Sequence, residues 1–311
     1  MTPPRPAGCS MSIDLRHLAG LCLPWLCVLW LACGCAPAPS DPGETVAGRD
    51  GVTDPASRPG DTHTSPGDQS PDPVPRPRVR VAAASDLRFV FDDLRAAFQA
   101  GHPGIDVEVS FGSSGSFFAQ FTQQAPFDLF LSADLDLPQR LIERGDALPD
   151  SSFEYALGSL VLWIGAASEV PDGVDGLDLL QDPRVSRIAI ANPEHAPYGR
   201  AAMAVLRSLE IEAEVRPRLV LADNVAQALQ FVDTGGASLG LVSASLAGDP
   251  RLHDRGRGVA VPTDLHPPLR QGGVILRWAT DPDAARALRD FLIGPQGRDL
   301  LRKHGFQLPE P

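Results

Sequence analysis

From residue 79 onward, apolar residues follow two alternating patterns, one typical of buried strands and one typical of amphipathic helices. Short segments with the strand pattern lie at 79–84, 107–111, 129–131, 160–164, 188–191, 219–221, 239–242 and 274–276. Helical spacing follows several of them, at 87–98, 117–121, 200–209, 225–232 and 288–292. Strands that alternate with helices in this way predict an α/β fold with mainly parallel sheets.

The chain before the first strand begins with an export signal. Residues 18–32 form an apolar run with Arg16 just before it, too short for a comfortable transmembrane helix and typical of a signal-peptide core. The run ends at Cys33 and Cys35, each of which follows a small residue, as in a bacterial lipobox. Either cysteine fits the lipidated position, and Met11 is a second candidate start. A signal peptide that is cleaved without lipidation is the alternative.

Residues 36–78 are rich in Pro, Gly, Ser, Thr and Asp and contain almost no large apolar residues. Such a segment cannot bury enough surface to offset its chain entropy, so we predict a disordered tether that its prolines keep extended. The predicted organisation is a signal peptide with a lipobox at 1–35, a tether at 36–78, and a folded part anchored to the membrane outside the cytoplasm.

Charge and cysteine content exclude several classes of function. The formal net charge is −12 and the pI about 5.0, which argues against nucleic acid as a partner. A small anion is still possible, because a local site can oppose the net field. None of the five cysteines lies beyond Cys35. The folded part therefore has no disulfide, no thiolate metal site and no cysteine nucleophile.

Candidate chemistry lies where strands end and helices begin. A small or hydroxyl residue occupies this junction at 84–86, 112–116, 197–199 and 223–225. Ligands of open α/β sheets bind at the carboxyl ends of strands, where helix N-termini present unpaired N–H groups and partial positive charge. Several such ends converging on one point would bind an anion without a cationic side chain. Taken singly, each serine is more often an N-cap. The 112–116 stretch lacks the lysine of a P-loop, which argues against a nucleotide.

Several motifs, in order, resemble the molybdate-binding proteins of molybdate ABC transporters. They are Val-Ala-Ala-Ala-Ser-Asp-Leu (81–87), Ser-Phe-Gly-Ser-Ser-Gly (110–115), Phe-Asp-Leu-Phe-Leu-Ser-Ala-Asp (127–134), Ala-Asn-Pro-Glu-His-Ala-Pro-Tyr-Gly-Arg-Ala-Ala (191–202), Asp-Asn-Val-Ala-Gln-Ala-Leu (223–229) and Gly-Pro-Gln-Gly (294–297). The resemblance covers nearly all of the predicted ordered chain. It implies a two-lobed periplasmic-binding-protein fold with the ligand in the cleft between the lobes. The implied lobes are 79–158 plus 264–311 and 159–263, hinged near Gly158 and Thr263.

The resemblance also implies a set of oxyanion-binding residues. Hydroxyl and backbone N–H groups would come from Ser85 and Ser114 in the first lobe, and backbone donors from Tyr198 and Val225 in the second. Ser243 matches a position where many members of the family place a tyrosine hydroxyl. The serine is shorter, which puts its direct contact in question, and Tyr198 is a candidate to fill the gap.

Other polar residues tempt an enzymatic interpretation that we do not favour. Asp128 and Asp134 flank a strand end, but carboxylates beside an anion site would repel the ligand, so we expect them to cap loops or bridge the lobes. His195 has no His or Cys partner at metal-ligand spacing and is interpreted as a loop-shaping residue. Ser114 with His195 does not imply a hydrolase, because the Gly-x-Ser-x-Gly elbow is absent.

The predicted function is a solute-binding lipoprotein, not an enzyme, that delivers molybdate or tungstate to an ABC permease and its ATPase. No cofactor is expected, and molybdenum would enter only as the oxyanion, without direct protein–metal ligands. We expect a monomer tethered to the membrane by its lipid anchor, with no nucleic-acid partner. The main alternative is a binding protein for another oxyanion or a small organic acid. A sensor or enzyme on the same scaffold is a third hypothesis.

Overall fold

The structure is a computed structural model that describes residues 76–168, 174 and 176–310, all within the compact unit Gln69–Pro311. The predicted signal peptide and lipobox, with Cys33 and Cys35, and nearly all of the predicted tether lie outside the described residues. None of the helices in the described part of the chain has the length and apolar content needed to cross a membrane.

Ten strands and nine α-helices make up the described chain. The strands are β1 (Arg78–Ala84), β2 (Asp106–Gly112), β3 (Leu129–Ser132), β4 (Phe153–Gly158), β5 (Leu160–Gly165), β6 (Ile188–Ala191), β7 (Leu219–Ala222), β8 (Leu239–Ser243), β9 (Gly256–Ala260) and β10 (Leu269–Ile275). The helices are α1 (Val90–Gly101), α2 (Ser114–Phe121), α3 (Asp136–Glu143), α4 (Pro197–Ser208), α5 (Glu212–Val215), α6 (Val225–Asp233), α7 (Ala244–Ala247), α8 (Pro282–Ile293) and α9 (Pro295–Lys303). A short 3-10 turn, Ser85–Leu87, follows β1 directly.

The strands form two five-stranded sheets with the same arrangement, in the orders β2-β1-β3-β10-β4 and β7-β6-β8-β5-β9. We call the first sheet with α1–α3, α8 and α9 the first lobe, and the second sheet with α4–α7 the second lobe. In each sheet four strands point the same way, and only β10 or β5 is antiparallel to its neighbours. The predicted two-lobed α/β fold is confirmed, and its sheets are mixed.

The reversed strands follow from the two places where the chain crosses between lobes. β4 ends at Gly158, and β5 begins after the single residue Ser159. β9 ends at Ala260, and β10 returns to the first sheet at Leu269, which pairs with Gly158. β4 and β9 both end on the side of their sheet that faces the other lobe. The strands that follow them, β5 and β10, therefore begin on the side that faces the lobe just left and run antiparallel to their neighbours.

Each lobe has its own apolar core, which explains why the helical pattern was readable. In α1, Phe91, Leu94 and Phe98 recur at helical spacing and are fully buried against the first sheet. The opposite face of this sheet is covered by the phenylalanines of α2 and by Leu141 of α3. The second sheet is buried between α4 and α6. The spacing of the apolar residues therefore identifies the face of each helix that packs against its sheet.

The sequence analysis missed β4 and β9, and it placed only the end of β10. Two adjacent glycines, Gly272 and Gly273, interrupt the apolar run of β10 and hid most of the strand. Both are fully enclosed, and a Cβ on Gly273 would lie 2.6 Å from Phe153 Cζ and 2.7 Å from the carbonyl oxygen of Phe130. Glycine is needed here because a neighbouring ring and strand occupy the space of a side chain.

Gly273→Ala is expected to lower the free energy of unfolding by about 1–3 kcal/mol, because the added methyl overpacks a rigid part of the sheet. Urea denaturation followed by circular dichroism measures this loss. Gly104→Ala is the matched control, since a Cβ at Gly104 meets no atom within 4 Å. Equal stability of the two variants would contradict the packing argument.

Candidate functional site

A small cavity lies between the lobes, where strand ends and helix starts meet. Ser85, Asp86, Ser114, Tyr198 and Val225 line it, together with six residues that are Ala, Gly, Ser or Pro. The five named residues are all buried. Four of them are predicted ligand-binding residues, and they come from four separate chain segments. The fold therefore brings Ser85, Ser114, Tyr198 and Val225 to one place.

The cavity is very small. The space open to the centre of a water-sized sphere is about 10 Å³. Pockets for drug-sized organic ligands are typically about 300–1,000 Å³. The four oxygen centres of a tetrahedral oxyanion span only a few cubic ångströms, so such an ion suits this space. A sugar or an amino acid does not fit the arrangement shown.

Ser114 is positioned to donate its hydroxyl proton into the cavity. It is the first residue of α2, and its neighbour Ser113 serves as the N-cap by accepting from the Ser116 N–H at 3.3 Å. The Ser114 Oγ accepts the Ala133 N–H at 3.0 Å. A hydroxyl can accept and donate at the same time, so this bond fixes the oxygen and leaves the O–H proton for a ligand.

Ser85 has the same arrangement across the two lobes. It begins the 3-10 turn after β1, and its Oγ accepts the N–H of Ala226, in α6 of the second lobe, at 3.4 Å. This hydroxyl also keeps its own proton for donation. Ser85 therefore joins the lobes and faces the cavity at once.

Three helix N-termini contribute backbone donors. Ser114 and Val225 are the first residues of α2 and α6, and Tyr198 is the second residue of α4. N–H groups at these positions have no carbonyl partner within their own helix. They donate no hydrogen bond to any residue that the structure describes. The partial positive charge of each helix end adds to their attraction for an anion.

Ser243 is placed differently from the other four predicted residues. It is fully buried but does not line the cavity. Its Oγ accepts the Leu246 N–H at 3.4 Å, as the N-cap of α7, and lies 3.2 Å from the Ser245 Oγ, within hydrogen-bond distance. Ser245 donates its hydroxyl proton to the backbone carbonyl oxygen of Asp86 at 3.0 Å. Ser243 thus contacts the cavity wall only through Ser245.

Asp86 is a cavity residue that the sequence analysis did not select. Its side chain is almost completely buried; Oδ2 accepts the Tyr198 O–H at 3.0 Å and the Gln271 side-chain N–H at 2.5 Å. Oδ1 has no hydrogen-bond partner among the described residues. Burial raises the pKa of Asp86 to about 6, against the opposing effect of the hydrogen bonds from Gln271 and Tyr198. Its position directly after Ser85 was the only signal in the sequence.

The Tyr198 hydroxyl binds Asp86 and accepts a second hydrogen bond from Gln271 Nε2 at 3.1 Å. Burial raises the pKa of Tyr198 well above 10, and the nearby Asp86 carboxylate raises it further, so the phenol stays neutral. A Cβ on Gly158 would lie 2.3 Å from this hydroxyl. Glycine at the first crossing therefore makes room for the tyrosine from the other lobe.

Further contacts hold the two lobes together around the cavity. The Gly115 N–H in α2 donates to the carbonyl oxygen of His195 at 2.8 Å, across the cleft. Asp134 of the first lobe forms an ion pair with Arg200 of α4, so it bridges the lobes.

Two other polar residues from the sequence analysis make contacts within one lobe. The His195 ring contacts the Asp223 carbonyl oxygen at 3.1 Å and shapes its loop. Asp128 lies at the far end of β3, where it binds Arg80 and the Thr280 N–H within the first lobe.

The cavity lining has no Lys, Arg or His. Across the described residues, no group of three or more His, Cys, Asp or Glu side chains could hold a metal ion. The site consists of hydroxyls, helix N-termini and one buried carboxyl group. Chemically it can bind a small hydrogen-bond acceptor from several directions at once.

The fold and this site are those of an extracellular solute-binding protein. A sequence profile described as bacterial extracellular solute-binding protein matches residues 79–307. Because that match covers most of the chain, the protein belongs to this family.

Two relatives and one solved structure make the relationship more specific. The molybdate-binding protein ModA of Azotobacter vinelandii is 38% identical over 230 residues, which cover 74% of this chain and 90% of the relative. The protein of the same name from Rhodobacter capsulatus is 36% identical over 236 residues, with 75% and 90% covered. The Azotobacter vinelandii periplasmic molybdate-binding protein has a TM-score of 0.68 and 31% identity over 75% of this chain and 100% of its own. The resemblance drawn from the motifs is confirmed.

Gly115→Ala is expected to prevent closure of the lobes, because the added Cβ would lie 2.5 Å from the His195 carbonyl oxygen. Small-angle X-ray scattering should show a larger radius of gyration for the variant, with unchanged circular dichroism. Gly101→Ala, where a Cβ meets nothing within 4 Å, serves as the control. A Gly115→Ala variant as compact as the wild type would refute the assigned role of this contact.

Proposed function

We propose that the protein captures a tetrahedral oxyanion, molybdate or tungstate, for a bacterial ABC importer. The observation that carries the proposal is a small interlobe cavity, lined by buried hydrogen-bond donors and without a cationic side chain, in which the space open to the centre of a water-sized sphere is about 10 Å³. Ser85 and Ser114 would bind through hydroxyl and backbone N–H groups, and Tyr198 and Val225 through backbone N–H groups. Supporting the choice of ligand, the two relatives above carry the name molybdate-binding protein.

The donor set is energetically suited to a dianion. Hydrogen bonds to a charged acceptor contribute about 1.5–3 kcal/mol each, and helix N-termini add electrostatic attraction. Several such bonds together offset the loss of hydration that burial of the ion requires. The hydroxyl and N–H donors are neutral, so they need no counter-charge of their own when the site is empty of ligand. Hydrogen bonds and helix N-termini can therefore be sufficient to bind an anion without a cationic side chain.

Size and charge distinguish the competing ligands. A small organic acid needs more space than the cavity offers. Another tetrahedral oxyanion, such as sulfate, remains the second candidate because it shares both shape and charge with molybdate. Bond length, and hence the size of the ion, would then decide the preference.

Ser243 enters the proposal as a supporting residue. Its hydroxyl caps α7 and contacts the Ser245 hydroxyl, which donates to the backbone carbonyl oxygen of Asp86 at the cavity wall. This chain of hydrogen bonds favours an indirect role for Ser243 in positioning the wall. The direct contact implied by the family resemblance is the less favoured assignment.

We further propose that the two lobes are 79–158 plus 264–311 and 159–263, and that they close on the ligand about Gly158 and Thr263. Ligand that bridges both lobes stabilises the closed form, which an ABC permease with its ATPase can recognise. In this proposal the protein is a monomer, needs no cofactor and catalyses no reaction, since its task is complete when the ion is released.

Anchoring to the membrane completes the proposed function. A signal peptide with a lipobox at 1–35, lipidation at Cys33 or Cys35, and a tether at 36–78 would hold the binding domain outside the cytoplasm, near its permease. Membership of an extracellular solute-binding family supports this location.

Isothermal titration calorimetry of the folded domain with molybdate, tungstate, sulfate, phosphate and lactate tests the ligand class. We expect heat with molybdate and tungstate at micromolar or lower Kd, weaker binding of sulfate, and none of lactate. Absence of binding by both molybdate and tungstate would reject the proposal.

Ser85→Ala and Ser114→Ala are each expected to weaken molybdate binding by about 1–3 kcal/mol, because each removes a donor to a charged acceptor. Calorimetric titration gives the change in Kd, and circular dichroism checks the fold. Ser152→Ala, at an exposed serine outside the cavity, is the control that should bind like the wild type. Unchanged affinity in both cavity variants would show that these hydroxyls do not contact the ion.

A further inference from the structure

Asp86 poses a problem for an anion site, because a carboxylate beside a bound oxyanion would repel it. Asp86 is one of the residues that line the cavity, its side chain is almost completely buried, and Oδ1 has no partner among the described residues. An unpaired oxygen in such a place is costly unless something else binds it. Oδ1 therefore has a hydrogen-bonding role that no described residue fulfils.

We propose that the Asp86 carboxyl group belongs to the oxyanion site and is protonated when the ligand is bound, so that its Oδ1–H donates a hydrogen bond to the anion. The inference rests on the proposed function. The proton comes from solvent and stays on Oδ1, and no covalent bond to the ligand forms or breaks. Asp86 is then a specificity-determining residue that couples anion binding to proton uptake.

The arrangement of donors around Asp86 supports this assignment. Oδ2 already accepts from Tyr198 in α4 and from Gln271 in β10, both of which are neutral donors. These two bonds fix the carboxyl plane and leave Oδ1 as the oxygen that can carry the proton. Ser245, at the start of α7, holds the Asp86 backbone carbonyl. The carboxyl group is thus oriented from three elements before any ligand arrives.

Among the residues that the structure describes, no charged side chain contributes to the pKa shift of Asp86. Burial raises the pKa of Asp86 to about 6, and the hydrogen bonds from Gln271 and Tyr198 oppose this rise. Tyr155 in β4 faces it as well, and burial raises the pKa of this phenol well above 10, so it stays neutral. A dianion bound next to Asp86 would raise the carboxyl pKa further, because two negative charges repel.

The pH dependence of Kd follows from the raised pKa of Asp86 in the free protein and its further rise when an anion is bound. Below about pH 6 the free protein already has Asp86 protonated, so binding takes up no proton and Kd is constant. Above that pH, binding must add one proton, and Kd rises by up to tenfold per pH unit until the pKa of the complex is reached. The free protein therefore binds a fully deprotonated anion less tightly as the pH increases.

Titration calorimetry with molybdate at several pH values from about 6 to about 9, in two buffers of different ionisation enthalpy, measures the linked proton directly. We expect uptake approaching one proton per anion at the alkaline end, together with the rise in Kd. Binding without proton uptake and with a constant Kd would overturn the role of Asp86 while leaving the proposed function intact. No molybdate binding at any pH would instead reject the proposed function itself.

Asp86→Asn provides the second arm, because the amide can donate an N–H but cannot titrate. We expect a Kd independent of pH in this variant, no proton uptake, and tighter binding than the wild type at the alkaline end. His195→Gln is the control for the neighbouring loop, since it changes a polar side chain beside the cavity and leaves Asp86 intact. If His195→Gln abolished the pH dependence and Asp86→Asn preserved it, the assignment to Asp86 would be wrong. The wild-type proton count decides the matter if Asp86→Asn fails to fold.

Discussion

The whole site depends on the convergence of uncompensated peptide N–H groups on one buried point. Each helix that begins beside a sheet edge leaves its first N–H groups without carbonyl partners, and α2, α4 and α6 begin at the same cavity. Burying such groups is unfavourable unless an acceptor satisfies them, so the closed protein is poised for an anion. The same geometry explains why no lysine or arginine is needed there. A neutral dipole array does not require a counter-charge before the ligand arrives.

In the function proposed here, closure of the two lobes and binding of the ligand would be one event. Ser85 contacts α6, Gly115 contacts the loop of His195, and Asp86 receives a bond from Tyr198, so each wall of the cavity contains a residue that also joins the lobes. An ion in the cavity would add bonds to both sides of this interface. The glycines at 115 and 158 allow the approach, because a side chain at either position would collide with the opposite lobe. Small residues at the seam are therefore as necessary to the site as the donors are.

The buried carboxyl group gives the cavity a chemical preference that shape alone does not provide. A neutral Asp86 completes the set of donors, whereas a charged Asp86 would repel the bound anion. Burial, more than any neighbouring charge, shifts the balance toward the neutral form. The affinity for an anion is thereby linked to the proton concentration outside the cytoplasm. This coupling distinguishes the site from one built of hydroxyls and backbone groups alone.

The sequence by itself determined the parts of this protein that depend on local pattern. Apolar spacing gave most strands and helices, and local pattern located the strand–helix junctions that contain Ser85, Ser114 and Tyr198, because periodicity and helix starts depend on adjacent residues. The family resemblance then implied that these three residues bind the ligand. Only the tertiary structure decided where these segments meet. It placed Ser243 outside the cavity lining as a cap of α7, and it brought Gln271 from β10 to Asp86, a pairing across 185 positions. The strands β4, β9 and most of β10 were also hidden, and in β10 the interruption comes from Gly272 and Gly273, whose side-chain space is occupied by residues from other elements. Burial and long-range contact are properties of the assembled chain, and no local pattern encodes them.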